Sequence, residues 1–141
     1  MRFNCGLAVA VAMTILMCVA LPIMAHHVHP AGLFNDTFSD VQGVVKEVRF
    51  RNLHVWIMLE VKGDDGQPQL WPLEAASPAV LGGIGVNPTY LKAGDTIKAR
   101  CRRLQEVAKG GDNDCVLRFV KVTDGTVKDW SGDNTPAPAD F

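Results

Sequence analysis

The sequence lacks the features of several large functional classes. Acidic and basic side chains nearly balance, with a formal net charge of −1 at pH 7, so neither nucleic acid nor an anionic membrane surface is an expected partner. No Gly-x-Ser-x-Gly elbow, phosphate-binding glycine loop or His-Glu-x-x-His helix occurs, and no internal repeat or heptad pattern is present. The sequence therefore gives little support to an enzyme.

Long apolar runs are also lacking, apart from one stretch near the start. Residues 7–21 are apolar, follow Arg2, and precede Pro22 and the small Ala25, which are the three parts of a cleavable export signal. The run is shorter than the roughly 20 residues of a membrane-spanning helix. We therefore expect a signal peptide at residues 1–25, no stable membrane insertion, and a periplasmic or secreted bacterial protein; an uncleaved anchor is the alternative.

Cysteine is scarce once this signal is removed, because Cys101 and Cys115 are then the two that remain. An even number of cysteines in an oxidising compartment favours a structural disulfide. Antiparallel pairing with Cys101 opposite Cys115 also aligns two apolar pairs, Ala99 with Leu117 and Ile97 with Phe119. A one-residue slip would invert every side chain, so this register is the one we expect.

Short β-branched runs separated by turn residues predict strands. They span residues 41–51, 54–62, 69–74, 96–104 and 115–122. Ser77 and Pro78 predict the cap and first turn of a short helix between strands 3 and 4. This order is that of the OB-fold. We therefore expect an all-β protein, a small five-stranded OB-like barrel over residues 41–130.

Three details complete the predicted organisation. In the first strand the apolar positions change from odd numbers (Val45) to even numbers (Val48), which predicts a β-bulge. Residues 26–40 form a His-containing N-terminal arm. Residues 131–141 are polar and Pro-rich, so we expect a disordered tail.

The second predicted strand has two distinct faces. Its odd positions, from Val55 onwards, form an apolar core stripe, which leaves His54, Trp56 and Met58 on the opposite face. Imidazole and thioether suit copper, and the thioether favours Cu(I). Trp56 is a candidate ligand-binding residue, because OB-folds commonly bind on the face of strands 2 and 3. The alternative is that Trp56 and Met58 lie under the arm or the tail, with His54 satisfied in the turn.

Three of the four histidines, His26, His27 and His29, directly follow the predicted signal. Cleavage after Ala25 would place an α-amine of pKa about 7.7 on His26, where it can join imidazoles in binding a divalent metal. Copper is the first expectation by the Irving–Williams order, and zinc is the alternative. An exposed polar terminus with adventitious affinity is the competing interpretation.

A resemblance supports the same positions. His26 and His27 after Ala25, residues 43–45 and the run Asn-Leu-His-Val-Trp at 52–56 resemble a family of uncharacterised small secreted bacterial proteins. That family has a mature Ala-His-His-Ser start and an Asn-Pro-His-Val-Trp motif. The resemblance implies a secreted β-domain and draws attention to the histidines, but it implies no reaction. The outward His, Trp and Met are also similar to those of periplasmic copper and silver chaperones, which carry a second methionine absent here.

These observations predict a metal-binding protein, with copper favoured, that stores or transfers the ion. The alternative is a non-catalytic module that binds a small molecule or a periplasmic partner protein on the Trp56 face. A copper enzyme using the N-terminal amine is a remote third hypothesis. The basic residues Lys98, Arg100, Arg102 and Arg103 are expected to form the solvated face of a strand, with an anionic ligand as the less favoured interpretation.

Overall fold

The computed structural model describes residues 33–105 and 113–141. The predicted signal peptide and His26, His27 and His29 lie outside the described residues. The elements are β1 Ser39–Phe50, β2 Val55–Lys62, β3 Pro68–Glu74, α1 Pro78–Gly83, β4 Thr96–Arg103, β5 Cys115–Val122 and β6 Val127–Asp129. Across this part of the chain, no helix has the length and apolar character needed to cross a membrane.

The first five strands form a closed barrel. β1 pairs antiparallel with β2 and with β4, β2 pairs with β3, and β4 pairs with β5. A short parallel pairing of β3 with β5, Leu73 with Cys115 and Glu74 with Val116, completes the closure. The predicted five-stranded OB-like barrel is therefore confirmed, as is the helix between strands 3 and 4. Ser77 caps that helix, since its hydroxyl accepts a hydrogen bond from the Val80 amide at 3.4 Å.

The predicted bulge in β1 is present. The pairing with β2 shifts between Val45, which pairs with Leu59, and Glu47, which pairs with Met58. The extra residue lets Val45 and Val48 both turn towards the interior, where Val45 is 1% exposed. A β-bulge bends its strand and increases the local twist, which serves the closure of a small barrel.

The predicted disulfide is confirmed, but the predicted register around it is wrong. Cys101 and Cys115 are bridged, with their Cα atoms 5.6 Å apart. Cys101 nevertheless pairs with Leu117, and Arg100 pairs with Phe119. Arg118 is an extra residue of β5 at this point, so the alternation of inward and outward side chains changes there. Phe119 consequently packs against the Phe141 ring, with 6.0 Å between the ring centroids. It does not lie opposite Ile97.

The tail also differs from the expectation of disorder. Residues 131–141 lie along β4 and β5, and Phe141 is only 6% exposed against the Phe119 ring. The Lys121 ammonium donates a hydrogen bond to the Phe141 carbonyl at 2.6 Å. A tail that is polar along most of its length is therefore held by an apolar contact at its end, which average composition does not register.

Candidate functional site

His54 immediately precedes β2, on the outer face of the barrel. The next residue, Val55, is fully buried in the core, so the alternation of the strand turns His54 and Trp56 outward. The Nδ1 atom of His54 contacts the Oε1 atom of Glu74, at the end of β3. The two side chains are 30% and 13% exposed, so the pair is partly shielded from water while the imidazole remains accessible.

The pairing of β2 with β3 assembles the rest of this face. Trp56 pairs with Glu74, and Met58 pairs with Pro72. Trp56 and Met58 are both half-buried. His54, Trp56, Met58 and Glu74 will be called the His54 face. It combines one imidazole, one carboxylate, one thioether and an indole on two adjacent strands.

The contact with Glu74 determines the chemistry of His54. The Glu74 carboxylate accepts a hydrogen bond from Nδ1–H, which assigns the proton of the neutral ring to Nδ1 and leaves the lone pair on Nε2. Metal-binding histidines commonly have this second partner, which orients the ring and raises its basicity. His54 therefore has the kind of hydrogen-bonded partner that metal-binding histidines commonly have.

Other charges on this side of the barrel are paired with one another. Arg49 donates to Glu47 at 2.8 Å, and this hydrogen bond lowers the pKa of the Glu47 carboxyl. Lys46 lies 3.2 Å from the Glu60 carboxylate. These ion pairs are exposed, so they set the local charge pattern and contribute little to stability.

The described residues do not assemble a complete metal centre. Residues 33–105 and 113–141 contain no group of three or more His, Cys, Asp or Glu side chains arranged to hold an ion. Cys101 and Cys115 are bridged to each other and are not available as thiolate ligands. Within this part of the chain, His54 and Glu74 form a pair rather than a full coordination shell.

The sequence motifs do not single out Glu74 as a site residue, although the length of the β2–β3 hairpin predicts its position. Gly63 and Gly66 flank the turn that joins β2 to β3, and counting outward from that turn places residue 74 opposite Trp56. A hairpin register therefore predicts the acidic neighbour of the His54 face. The predicted faces of β2 are confirmed, since Val55, Ile57 and Leu59 are each 0% exposed.

One comparison with known proteins gives a match. A family model described as "Family of unknown function (DUF6152)" matches residues 12–113, a span that includes the whole His54 face. Neither the curated proteins nor the solved structures contain a match.

Proposed function

The chain belongs to DUF6152, a family of unknown function, and we propose from the geometry of its own site that it binds a transition-metal ion. Copper is the first candidate and zinc the second. The protein would be exported, in the periplasm or outside the cell, and would hold or hand over the ion without transforming a substrate. A buried disulfide suits an oxidising compartment.

The His54–Glu74 contact carries the proposal. It supplies an oriented imidazole whose Nε2 lone pair can bind a metal, with a carboxylate partner on the other ring nitrogen. Met58 lies on the same outward face, two residues after Trp56, where its thioether would favour Cu(I). His26, His27 and His29 are the proposed further ligands, and the α-amine of His26 would join them after cleavage of the signal.

Calorimetric titration of the mature protein tests the proposal. The N terminus is first verified by mass spectrometry, and the protein is titrated with Cu(II) and, under reducing conditions, with Cu(I). We expect one stoichiometric site that is lost in His54→Ala and weakened in His26→Ala. Binding no tighter than that of a free His-His peptide would overturn the proposal.

A matched pair of variants isolates the role of the carboxylate. Glu74→Gln keeps the size of the side chain but removes the negative charge of the carboxylate beside His54, so metal affinity should fall by about 10- to 100-fold. Glu60→Gln removes a carboxylate from the same strand pair, where it faces Lys46, and should leave the affinity unchanged. Equal losses in both variants would indicate a general charge effect.

The second candidate function is the binding of a small molecule or partner protein on the same His54 face, through Trp56. Its support is the apolar character of neighbouring residues, since Leu70 is 51% exposed and Pro72 lies beside Met58. Under this hypothesis Trp56→Ala abolishes binding of the partner while His54→Ala does not. The two functions are therefore separated by which variant loses binding.

A further inference from the structure

A cavity of about 620 Å³ lies between the tail and the outer face of β4 and β5. Val116 and Phe119 form part of its floor, and Pro136 and Pro138 of the tail form part of its wall. Sites for small molecules commonly have volumes of roughly 300–1,000 Å³ and a mainly apolar lining. The size and lining of this cavity fit a small ligand.

The tail wall is held in place by a hydrogen-bond network that runs from the buried Asp129 to exposed residues of the tail. Asp129, 8% exposed, accepts hydrogen bonds from the amides of Ser131 at 2.9 Å and Thr135 at 2.7 Å. Arg118 donates to the Thr135 hydroxyl at 2.5 Å and also binds Asp133. The cavity therefore has a built wall, and the carboxylate of Asp133, which lines it, is already paired.

The sequence predicts a solvated face for the basic residues of β4, but three of them have polar partners. Arg100 binds Asp40 at 2.6 Å, Lys98 binds the same carboxylate at 3.0 Å, and Arg103 donates to Asn113 at 3.1 Å. Arg102 differs from them. Its guanidinium lies 4.7 Å from the centroid of the Phe38 ring. It has no ion pair or side-chain hydrogen bond within the described ranges.

Arg102 and its aromatic neighbour, Phe38, both line the cavity. Stacking on a ring fixes the plane of a guanidinium and leaves its N–H edges available for a bidentate bond to a carboxylate. Of the two cations that line the site, Arg118 is paired with Asp133, and Arg102 remains to face the apolar floor and wall. That combination is complementary to a ligand with a single acidic group and an apolar body.

We propose that this cavity binds a small amphipathic carboxylate, whose acidic group pairs with Arg102. The apolar part of the ligand lies against Val116, Phe119 and the tail prolines. This site is formed by residues other than those of the His54 face, and its occupation does not require a metal. The proposal therefore stands or falls independently of the proposed metal binding.

Titration with octanoate tests the proposal, with octanamide as the uncharged ligand of matched shape. We expect saturable calorimetric binding of octanoate, with NMR shift changes at the Val116 methyl groups and the Thr135 amide. Arg102→Gln should weaken octanoate binding by about tenfold or more, the effect of losing a charge-assisted bond. The control variant Arg51→Gln, at an exposed position between β1 and β2, should leave binding unchanged.

Val116→Trp provides a second test, because a larger side chain on the floor should exclude the ligand. Thermal unfolding of each variant identifies any loss that reflects misfolding. Absence of saturable binding, equal affinity for octanoate and octanamide, or unchanged affinity in Arg102→Gln would each overturn the proposal. Shift changes confined to the His54 face would overturn it too.

Discussion

At the scale of single residues, Tyr90 buries a polar atom at a cost. Its hydroxyl oxygen is enclosed and has no hydrogen-bond partner in the described part of the chain, as is also true of the indole nitrogens of Trp71 and Trp130. The Tyr90 ring packs at 6.0 Å from the Trp130 ring. An enclosed polar group without a partner costs about 1–3 kcal/mol, so the phenol ring contributes packing and the hydroxyl opposes it.

The variant Tyr90→Phe should therefore keep the packing and lose the cost. We expect the free energy of unfolding at pH 7 to be unchanged or raised by up to about 2 kcal/mol, measured by denaturant titration. Tyr90→Ala serves as the control and should be destabilising, since it also removes the ring. A clear loss of stability in Tyr90→Phe would show that the hydroxyl has a partner.

The same residue predicts an alkaline effect. Burial, and secondarily the Asp124 carboxylate, raises the pKa of Tyr90. The folded protein therefore holds the phenolic proton more tightly than the unfolded chain, whose tyrosine ionises near pH 10. As the pH rises past that value, stability should fall in the natural protein and fall less in Tyr90→Phe. Unfolding curves at pH 8 and pH 10.5 measure the difference.

At the scale of elements, the tail is attached to the barrel by charge as well as by Phe141. Arg100 donates to Asp40 at 2.6 Å and to Asp140 at 3.1 Å. These hydrogen bonds lower the pKa of both carboxyl groups. Arg100 and Lys98 also lie 5.0 and 4.7 Å from the centroid of the Phe141 ring. One arginine therefore links β1, β4 and the tail.

Tail attachment should consequently depend on acidic pH. Because the folded-state pKa values are lowered, the stabilisation is complete above the ordinary aspartate pKa of about 3.9 and is lost as the pH falls through the lower folded values. NMR signals of the Phe141 ring should shift towards those of a free peptide below about pH 4. Asp140→Asn should loosen the tail at neutral pH, whereas Asp36→Asn, at an exposed position, should not.

The elements also show what the sequence could predict. The five barrel strands, the Ser77-capped helix and the bulge near Val45 each have a local signal in alternation or turn residues. β6 spans only Val127–Asp129, which is too short to display alternation. The bulge at Arg118 lies within a run in which Leu117, Phe119 and Val120 are all apolar, so the pattern of apolar residues does not show which of them turn inward. Tertiary pairing determines this, and it also brings Glu74 to His54.

At the scale of the whole molecule, the bridge between Cys101 and Cys115 constrains the barrel. Both residues are almost completely buried, at 0% and 1% exposed, and they are 14 residues apart in sequence. Cross-linking a loop of this length stabilises a fold by about 3 kcal/mol in the chain-entropy model. The disulfide therefore accounts for a considerable share of the stability expected of a domain this small.

Removal of both cysteines should reveal that contribution. We expect the double variant Cys101→Ala/Cys115→Ala to lose about 3 kcal/mol of unfolding free energy, with some further loss from the missing sulfur atoms. The control is the natural protein unfolded in the presence of a reductant, which should approach the same midpoint. An unchanged denaturation midpoint in both samples would contradict the prediction.

The parallel contact that closes the barrel has one more consequence. In the described chain it consists of two neighbouring residue pairs, Leu73 with Cys115 and Glu74 with Val116. The disulfide, the acidic partner of His54 and the floor of the cavity therefore adjoin one another. Substitutions at contacting residues are generally not additive. The effects of Val116 and Glu74 variants, whose residues pair directly, should accordingly be interpreted through double-mutant cycles, since the energy of one change depends on the presence of the other.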